Sequence, residues 1–272
     1  MDYKKREEIF SKEALSIKDV QELTDLSYDK AAKLICTWKR KLFFDGKALE
    51  SVAPVKIEDI RVSPIQMTAA ARQRPVRWGA DFVRMTGGSR TVDIVFALLT
   101  NNRDTRQAQL KAITAWARSN QPKKLELPNH GNLYLEAICT AFPEPSLRQW
   151  WESRLRLVFT TYDNPYWTSA IERSAPCGQA FTVLGDAPPI MRIEHTYESA
   201  ATDQSWTDGE DTLTLSSVGP GKLTINLNRQ TVDVDGASAM GGFTFGSAFI
   251  EPGPGTRTIT GVGTIYWRER WQ

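Results

Sequence analysis

The stretch from residue 27 to residue 41 is the first whose residue types and spacing suggest a chemistry, and that chemistry is DNA binding. It is rich in Lys and Arg and has no acidic residue after Asp29. Cations on a helix contact phosphates along the major groove, while small polar side chains reach base edges. The candidate DNA-contacting residues are Ser27, Tyr28, Lys30, Lys33, Thr37, Lys39 and Arg40. The alternative is a solvated helix face, because residues 1–41 carry ten basic and eight acidic side chains.

Aromatic residues in the C-terminal third suggest a second chemistry, contact with carbohydrate. Trp206 and Trp267 are the candidate contact residues, with Tyr266 and Trp271 as further members of a stacking platform. Sugar rings stack on exposed aromatic faces, but the aromatic side chains of β-sandwiches more often lie in the core. Both interpretations stay open at this point.

The sequence predicts neither a metal site nor a disulfide framework. Cys36, Cys139 and Cys177 are odd in number and form no CxxC pair. The two histidines, His130 and His195, do not stand at the spacing of metal ligands. We therefore interpret the cysteines as small apolar residues and His130 as a surface turn residue.

Acid–base and nucleophilic catalysis also lack a signature. Asp233 and Asp235 in TVDVDG are without the remainder of a calcium loop, so we interpret them as solvent-facing strand carboxylates. No GxSxG, HExxH, phosphate-binding loop or Cys/His nucleophile arrangement occurs. We expect a protein that is not an enzyme and that binds no cofactor or metal.

Composition is that of a folded protein of more than one domain. The chain has 272 residues, of which 41% are apolar and 24% charged, with a net charge of +2. No run approaches the length of a membrane helix, and the opening MDYKKREEIF lacks the apolar core of a signal peptide. We expect that the chain has no membrane segment. We also expect that it is synthesised in a cytoplasm.

The elements that position these residues fall into three predicted segments. Residues 1–41 contain no Pro or Gly and fit three short helices in a helix-turn-helix pattern. Residues 42–175 alternate in the manner of strands, with a turn at FDGK, another at Gly87-Gly88 and one helix over residues 105–119. The hairpin loop of PNHGN separates two further strands, and the run WESRLRLVFT predicts the next.

Residues 176–272 predict a second β-domain. Residues 175–189, with three prolines and two glycines, indicate a linker or strand crossover. Beyond it, IMRIEH, TLTLSS, KLTINL, QTVDVD, GFTFG and RTITGVG are separated by turns at the spacing of a sandwich or jelly roll. The predicted class is mainly β: two β-sandwich domains, the first with one helix, preceded by a small three-helix segment.

From about residue 42 onward the chain resembles the distal tail proteins of phages with long, non-contractile tails. The segments that carry the likeness occur in order over most of the chain: FFDGKALES, RTVDIVFALL, ITAWARS, KKLELPNHGNLYLEAICTAFPEP, RLRLVFTTYDNPYW, KLTINLNRQTVDVDG, the EPG turn at 251–253 and TIYWRERW. Residues 1–41 have no counterpart in that family. We interpret them as an added helix-turn-helix-like segment. It is either a natural extension of the protein, or a wrongly assigned or engineered start joined to a tail protein.

The resemblance implies a structural virion protein located at the phage tail tip. Members of that family form a homo-hexameric ring whose N-terminal sandwich continues the tail tube. Their C-terminal galectin-like sandwich holds receptor-binding or baseplate proteins. The implied partners are other copies of the chain, the tail tube protein, a tail-tip hub protein and those docked proteins. A ring also needs an exposed sheet edge, and the arginines at 72, 74, 77, 84 and 90 need partners if copies come together.

Two alternatives from other classes remain. One is a helix-turn-helix DNA-binding regulator whose β-domains oligomerise or bind a ligand. The other is a carbohydrate-binding module.

Overall fold

The computed structural model describes residues 41–73, 80–100, 102–128, 130–143 and 154–272. The predicted three-helix segment therefore lies outside the described residues, apart from Lys41. The chain divides into two compact units after Trp167. No helix in the described ranges is long and apolar enough to cross a membrane.

The first unit is built mainly from antiparallel strands. They are β1 (Phe43–Phe44), β2 (Lys47–Ala48), β3 (Val55–Val62), β4 (Met67–Gln73), β5 (Ala80–Gly87), β6 (Thr91–Leu98), β7 (Lys123–Glu126), β8 (Leu133–Ala141), β9 (Arg154–Thr161) and β10 (Trp167–Ser169), the last of which spans the division. The helices in the described part of this unit are α1 (Leu49–Val52) and α2 (Arg103–Ala117). Seven of these strands pair in the order β3-β6-β9-β8-β7-β1-β2, and β10 pairs with β8 in the same sheet, while β4 and β5 form a separate ribbon.

Strand β6 is the centre of the packing in this sheet. It pairs with β3 on one side and β9 on the other, as its apolar sequence predicts for a strand away from the sheet edge. Val92, Ile94 and Phe96 alternate along it and are completely buried. The predicted turn at FDGK is confirmed between β1 and β2, where Asp45 and Gly46 both have the positive φ of a type I′ turn.

Helix α2 packs against one face of this sheet. Trp116 lies edge-on to Phe44 and Phe159, with ring centroids 5.7 and 6.3 Å apart. The helix begins at Arg103 and ends at Ala117, whereas the sequence predicts residues 105–119. The earlier start follows from Asn102, whose side-chain oxygen accepts hydrogen bonds from the N–H groups of residues 104 and 105.

The second unit consists of strands alone apart from one 3₁₀ turn, Met240–Gly242. Its remaining strands are β11 (Arg173–Pro176), β12 (Ala180–Val183), β13 (Ala187–Tyr197), β14 (Ala201–Thr207), β15 (Thr212–Val218), β16 (Gly221–Asn226), β17 (Thr231–Val234), β18 (Ala237–Ser238), β19 (Gly255–Thr258) and β20 (Thr264–Trp271). The sheet order is β18-β17-β16-β13-β20-β11, and the pairs β12–β19 and β14–β15 supply the other layer of the core. The predicted mainly β class is thus confirmed, and sandwich domains are compatible with it.

Two local predictions in this unit are wrong, the linker alternative for residues 175–189 and the strand at GFTFG. Residues 175–189 contain the end of β11, all of β12 and the start of β13, and β12 pairs with β19 outside the sheet of β11 and β13, which agrees with the strand-crossover alternative. Proline is tolerated here since β11 pairs only with β20 and the register of β13 shifts between Ala187 and Ile190, around the two prolines. The segment GFTFG forms no strand. Phe243 makes one isolated bridge to Leu215, and a turn follows.

The cap of α2 is directly testable. Replacing Asn102 by Ala removes the acceptor of two helix N–H groups, so we expect the free energy of unfolding in urea to fall by about 1 kcal/mol. Asn102→Ser restores a capping oxygen and should recover most of the loss, while Gln107→Ala on the exposed face of α2 serves as the neutral control. An unchanged unfolding midpoint for Asn102→Ala would show that the cap contributes nothing.

Candidate assembly surfaces

The proposed DNA-contacting residues cannot be placed. Ser27, Tyr28, Lys30, Lys33, Thr37, Lys39 and Arg40 all lie outside the described residues. DNA binding by this segment therefore stays a prediction.

The two tryptophans considered for carbohydrate contact lie in the core of the second unit. Trp206 is 0% exposed and donates its indole N–H to the carbonyl of Val262 at 2.8 Å. Trp267 is 5% exposed and packs on Phe181 with ring centroids 4.9 Å apart. Neither indole presents a face to solvent in this arrangement, which matches the core alternative rather than a stacking platform.

A buried carboxylate, missed from the sequence, fixes Trp267 in place. Glu269 is almost completely buried, and one of its oxygens accepts the indole N–H of Trp267 at 3.0 Å. The other accepts the backbone N–H groups of Leu184 and Gly185 at 2.9 and 3.0 Å. Period-two alternation from Ile265 would have found it, because residues 265, 267 and 269 share one face of β20. The three donors make Glu269 a structural clamp between β20 and the turn after β12.

The other titratable groups of interest are unsuited to nucleophilic catalysis. Burial raises the pKa of Cys139 to about 11, and burial also raises the pKa of Cys177. His130 stacks on Trp167 with ring centroids 4.3 Å apart, and partial burial lowers its pKa. Within the described ranges, no three His, Cys, Asp or Glu side chains are grouped as a metal site would require. The prediction of Asp235 as a strand carboxylate is wrong, because β17 ends at Val234 and Asp235 lies in the following turn, where it accepts the backbone N–H of Lys222 at 2.9 Å.

The outer face of the second unit's sheet carries a network of ion pairs. Arg192 joins Glu172 at 2.6 Å and Glu194 at 2.8 Å. Arg268 adds a second cation beside Glu172, and Lys222 one beside Glu194. The hydrogen bond from Arg192 lowers the pKa of Glu172. Desolvation raises the pKa of Glu194, but Arg192 and Lys222 outweigh it and the net change is downward. Carboxyls held ionised in this way stabilise a sheet face and are poor general acids near neutral pH.

The first unit exposes a long sheet edge at β3. This strand pairs only with β6, and no other described strand covers its outer edge. Its exposed positions are charged, and Glu58 forms an ion pair with Arg154 at 2.9 Å. Charges of this kind discourage uncontrolled pairing at a strand edge while leaving the backbone groups available to a specific partner.

The β4–β5 ribbon is the second surface, and it leaves the sheet between β3 and β6. Its strands pair with each other from Met67 opposite Gly87 to Gln73 opposite Ala80, and with no other described strand. At its base, Gly88 donates its backbone N–H to the carbonyl of Gln66 at 2.7 Å. A two-stranded ribbon is at best marginally stable in water, so it requires a surface to pack on.

Arg90, beside the base of this ribbon, is a buried cation. Arg90 is 5% exposed, and its Nε and Nη1 atoms have no hydrogen-bond partner among the residues that the structure describes. Burial lowers its pKa. Its backbone is fixed by Thr161, whose hydroxyl accepts the N–H of Arg90 at 2.9 Å. Of the other arginines expected to need partners, residues 72 and 84 lie on β4 and β5, and residues 74 and 77 lie outside the described ranges.

Comparison with solved structures identifies the fold. The chain is similar to the Dit protein (gp 19.1) of phage SPP1, described as a paradigm of the hub adsorption apparatus in phages that infect Gram-positive bacteria. The TM-score is 0.67 at 13% sequence identity, and the match covers 85% of this chain and 99% of that chain. The resemblance to distal tail proteins is therefore confirmed at the level of the fold.

Two structures of the phage p2 baseplate in its activated conformation are also similar, one with Ca and one with Sr. Their TM-scores are 0.43 and 0.44 at 7% and 8% identity, covering 80% and 84% of this chain and 91% and 97% of theirs. No family model and no curated protein matches the chain.

The placement of Trp206 predicts a stability effect. Trp206→Ala empties a core position, and we expect the free energy of unfolding in urea to fall by about 3–5 kcal/mol. Leu184→Ala, at a 57% exposed position of the same unit, is the control and should change it little. Loss of glycan binding with unchanged stability would contradict the core assignment.

The buried guanidinium of Arg90 predicts that a substitution there raises the free energy of unfolding. Arg90→Met replaces an incompletely paired buried charge by an apolar side chain of similar length, and we expect the free chain to gain about 1–4 kcal/mol in stability. Arg61→Met, at a largely exposed cation of the same unit, is the control. A marked fall in the melting temperature of Arg90→Met would mean that the guanidinium is well satisfied.

Proposed function

We propose that this chain is a structural protein of a phage tail tip and forms a ring of six identical subunits. The observation that carries the proposal is the fold, which matches the SPP1 Dit protein over 99% of that protein's length. The SPP1 protein is described as a paradigm of the hub adsorption apparatus in phages that infect Gram-positive bacteria. In this role the ring joins the tail tube to baseplate or receptor-binding proteins, and no catalysis is required.

The first unit supplies the surfaces that ring formation needs. A closed ring of identical subunits uses a head-to-tail contact, in which one surface meets a different surface on the next copy. The β3 edge and the β4–β5 ribbon lie on strands that follow each other along the chain, and each has an unpaired side. A ribbon that packs on the neighbouring copy would gain the support that two strands lack by themselves.

Arg90 adds an electrostatic argument for a partner. A buried guanidinium without full hydrogen bonding is costly in a free subunit. An acceptor supplied during assembly, such as a carboxylate of the next copy, would remove that cost. The same reasoning explains why a charged residue stands at the base of the ribbon rather than an apolar one.

The two units have different roles in this proposal. Residues from 42 to the division build the ring, and the second unit docks the proteins that contact the host. The segment 1–41 is an extension of the ring subunit. Its proposed DNA-binding role is separate from assembly.

Removing the ribbon tests the ring. We expect light scattering after size-exclusion chromatography to give a hexamer for the full chain. A variant in which Gly-Ser-Gly replaces residues 67–87 should lose that assembly because the contact to the next copy is gone. Its far-ultraviolet circular dichroism should keep the β signature of the intact sheet.

The matched control changes a hairpin elsewhere. Replacing residues 208–210, in the turn between β14 and β15, by Gly-Asn-Gly should leave the hexamer intact. A dimer for the full chain, or a hexamer that survives loss of the ribbon, would contradict the proposal. A dimer that becomes a monomer on removal of residues 1–41 would instead support the DNA-binding regulator.

A further inference from the structure

One aromatic side chain of the second unit is held entirely in solvent. Phe245 is 104% exposed, more than any other large apolar residue in the described ranges. It occupies a four-residue turn, residues 244–247, closed by a hydrogen bond from the N–H of Ser247 to the carbonyl of Thr244 at 3.1 Å. Gly246 follows with φ +87°, the value that the third position of a type II turn requires. This geometry directs the second position, Phe245, away from the body of the unit.

The turn is fixed to strand β15 and is not a loose loop. Thr244 donates its backbone N–H to Thr214 at 3.0 Å, and Ala248 donates to Thr212 at 2.9 Å. The Ser247 hydroxyl accepts the N–H of Thr214 at 3.1 Å. These bonds hold both ends of the turn, so the exposed ring has a defined position without any partner.

Two aromatic rings support the turn from its base. Phe243 and Phe249 stack with their centroids 5.1 Å apart and pack against the core of the unit. The sequence GFTFGSAF thus places two rings inward and one outward. Phe243 and Phe249 pack against the core, whereas the ring of Phe245 lies in solvent and therefore contributes no packing within this unit.

The surroundings of Phe245 are acidic in sequence. The turn between β14 and β15 contains Asp208, Glu210 and Asp211, and Asp211 immediately precedes Thr212, which anchors the Phe245 turn. Residues 198–221 include five acidic residues and no Lys or Arg, and residues 236–256 include one acidic residue and no Lys or Arg. An exposed aromatic ring in an acidic part of the chain that has no Lys or Arg complements an apolar pocket with a basic rim.

We propose that Phe245 is the anchor of a docking surface that inserts into an apolar pocket, bordered by Lys or Arg, on a different virion protein. The inference rests on the proposed tail-tip function and names the contact residue of the docking unit. Phe245 supplies the desolvated contact, and the neighbouring carboxylates set orientation and association rate. A second copy of this chain would bring the same acidic surface and be repelled if it met this face symmetrically.

Photo-crosslinking within assembled particles tests the contact. p-Benzoylphenylalanine is introduced at position 245, and in a separate sample at position 184, a 57% exposed apolar site on the same unit. After irradiation, mass spectrometry identifies the crosslinked peptides. We expect position 245 to give one dominant product with a different virion protein, at a peptide containing Lys or Arg, and position 184 to give none of it. A product with a second copy of this chain, or no product at 245, would overturn the inference.

Side-chain variants give an independent readout. Phe245→Ala should lower the amount of the crosslinked protein retained in purified particles by about tenfold or more, as expected for loss of an aromatic anchor. Glu210→Gln should weaken retention mainly at low ionic strength. Leu184→Ala is the control, and melting temperatures of all variants should equal that of the parent chain. Full retention in Phe245→Ala particles would overturn the anchor role.

The outcomes separate this inference from the function on which it rests. If the chain is absent from particles or forms no ring, the tail-tip function fails. If the chain is present and hexameric but position 245 gives no crosslink, only the docking surface fails.

Discussion

Two antiparallel strands without a sheet to join do not hold together well in water, and this constraint governs what the first unit needs from its surroundings. The β4–β5 ribbon emerges between β3 and β6, which are firmly paired. Beside its base lies Arg90, a buried cation with two unpartnered nitrogen atoms. In the proposed ring, a neighbouring copy would support the ribbon and supply hydrogen-bond acceptors to Arg90.

The buried indole N–H groups of the second unit find hydrogen-bond acceptors within that unit. Its two most deeply buried tryptophans have hydrogen-bond acceptors, one a backbone carbonyl and one the Glu269 carboxylate. The exposed ring of Phe245 and the acidic turn between β14 and β15 contribute no packing to this core. In the proposed function the units therefore differ in role: the first would gain support from a neighbouring copy, and the second would present a contact to another protein.

Local signals in the sequence predicted much of the architecture. The run RTVDIVFALL, apolar on both faces, predicted the internal strand β6, and WESRLRLVFT predicted β9. The Asp-Gly turn and the PNHGN loop predicted two hairpins, because these features depend on neighbours along the chain. The start of α2 was missed by two residues since the capping role of Asn102 was not considered. The linker prediction at 175–189 was wrong because proline was interpreted without knowing that β11 lies at a sheet edge.

Features that depend on distant contacts were not predicted. The sequence left Trp206 open between a core position, the more frequent one for such residues, and a sugar platform. The packing of β14 against Gly261 and Val262 distinguishes the two alternatives. The sequence predicted a strand at Phe245, because apolar and small residues alternate in GFTFG. Gly246, however, has a positive φ and forms a turn. Contacts between subunits are the hardest to predict from local sequence, since they join residues of different chains.

Electron microscopy of the purified full chain tests the central claim most directly. Class averages of negatively stained particles should show sixfold rings with an open centre, because the ribbon and the β3 edge are expected to close a head-to-tail contact. Averages with twofold symmetry, or compact particles without a central opening, would contradict the account.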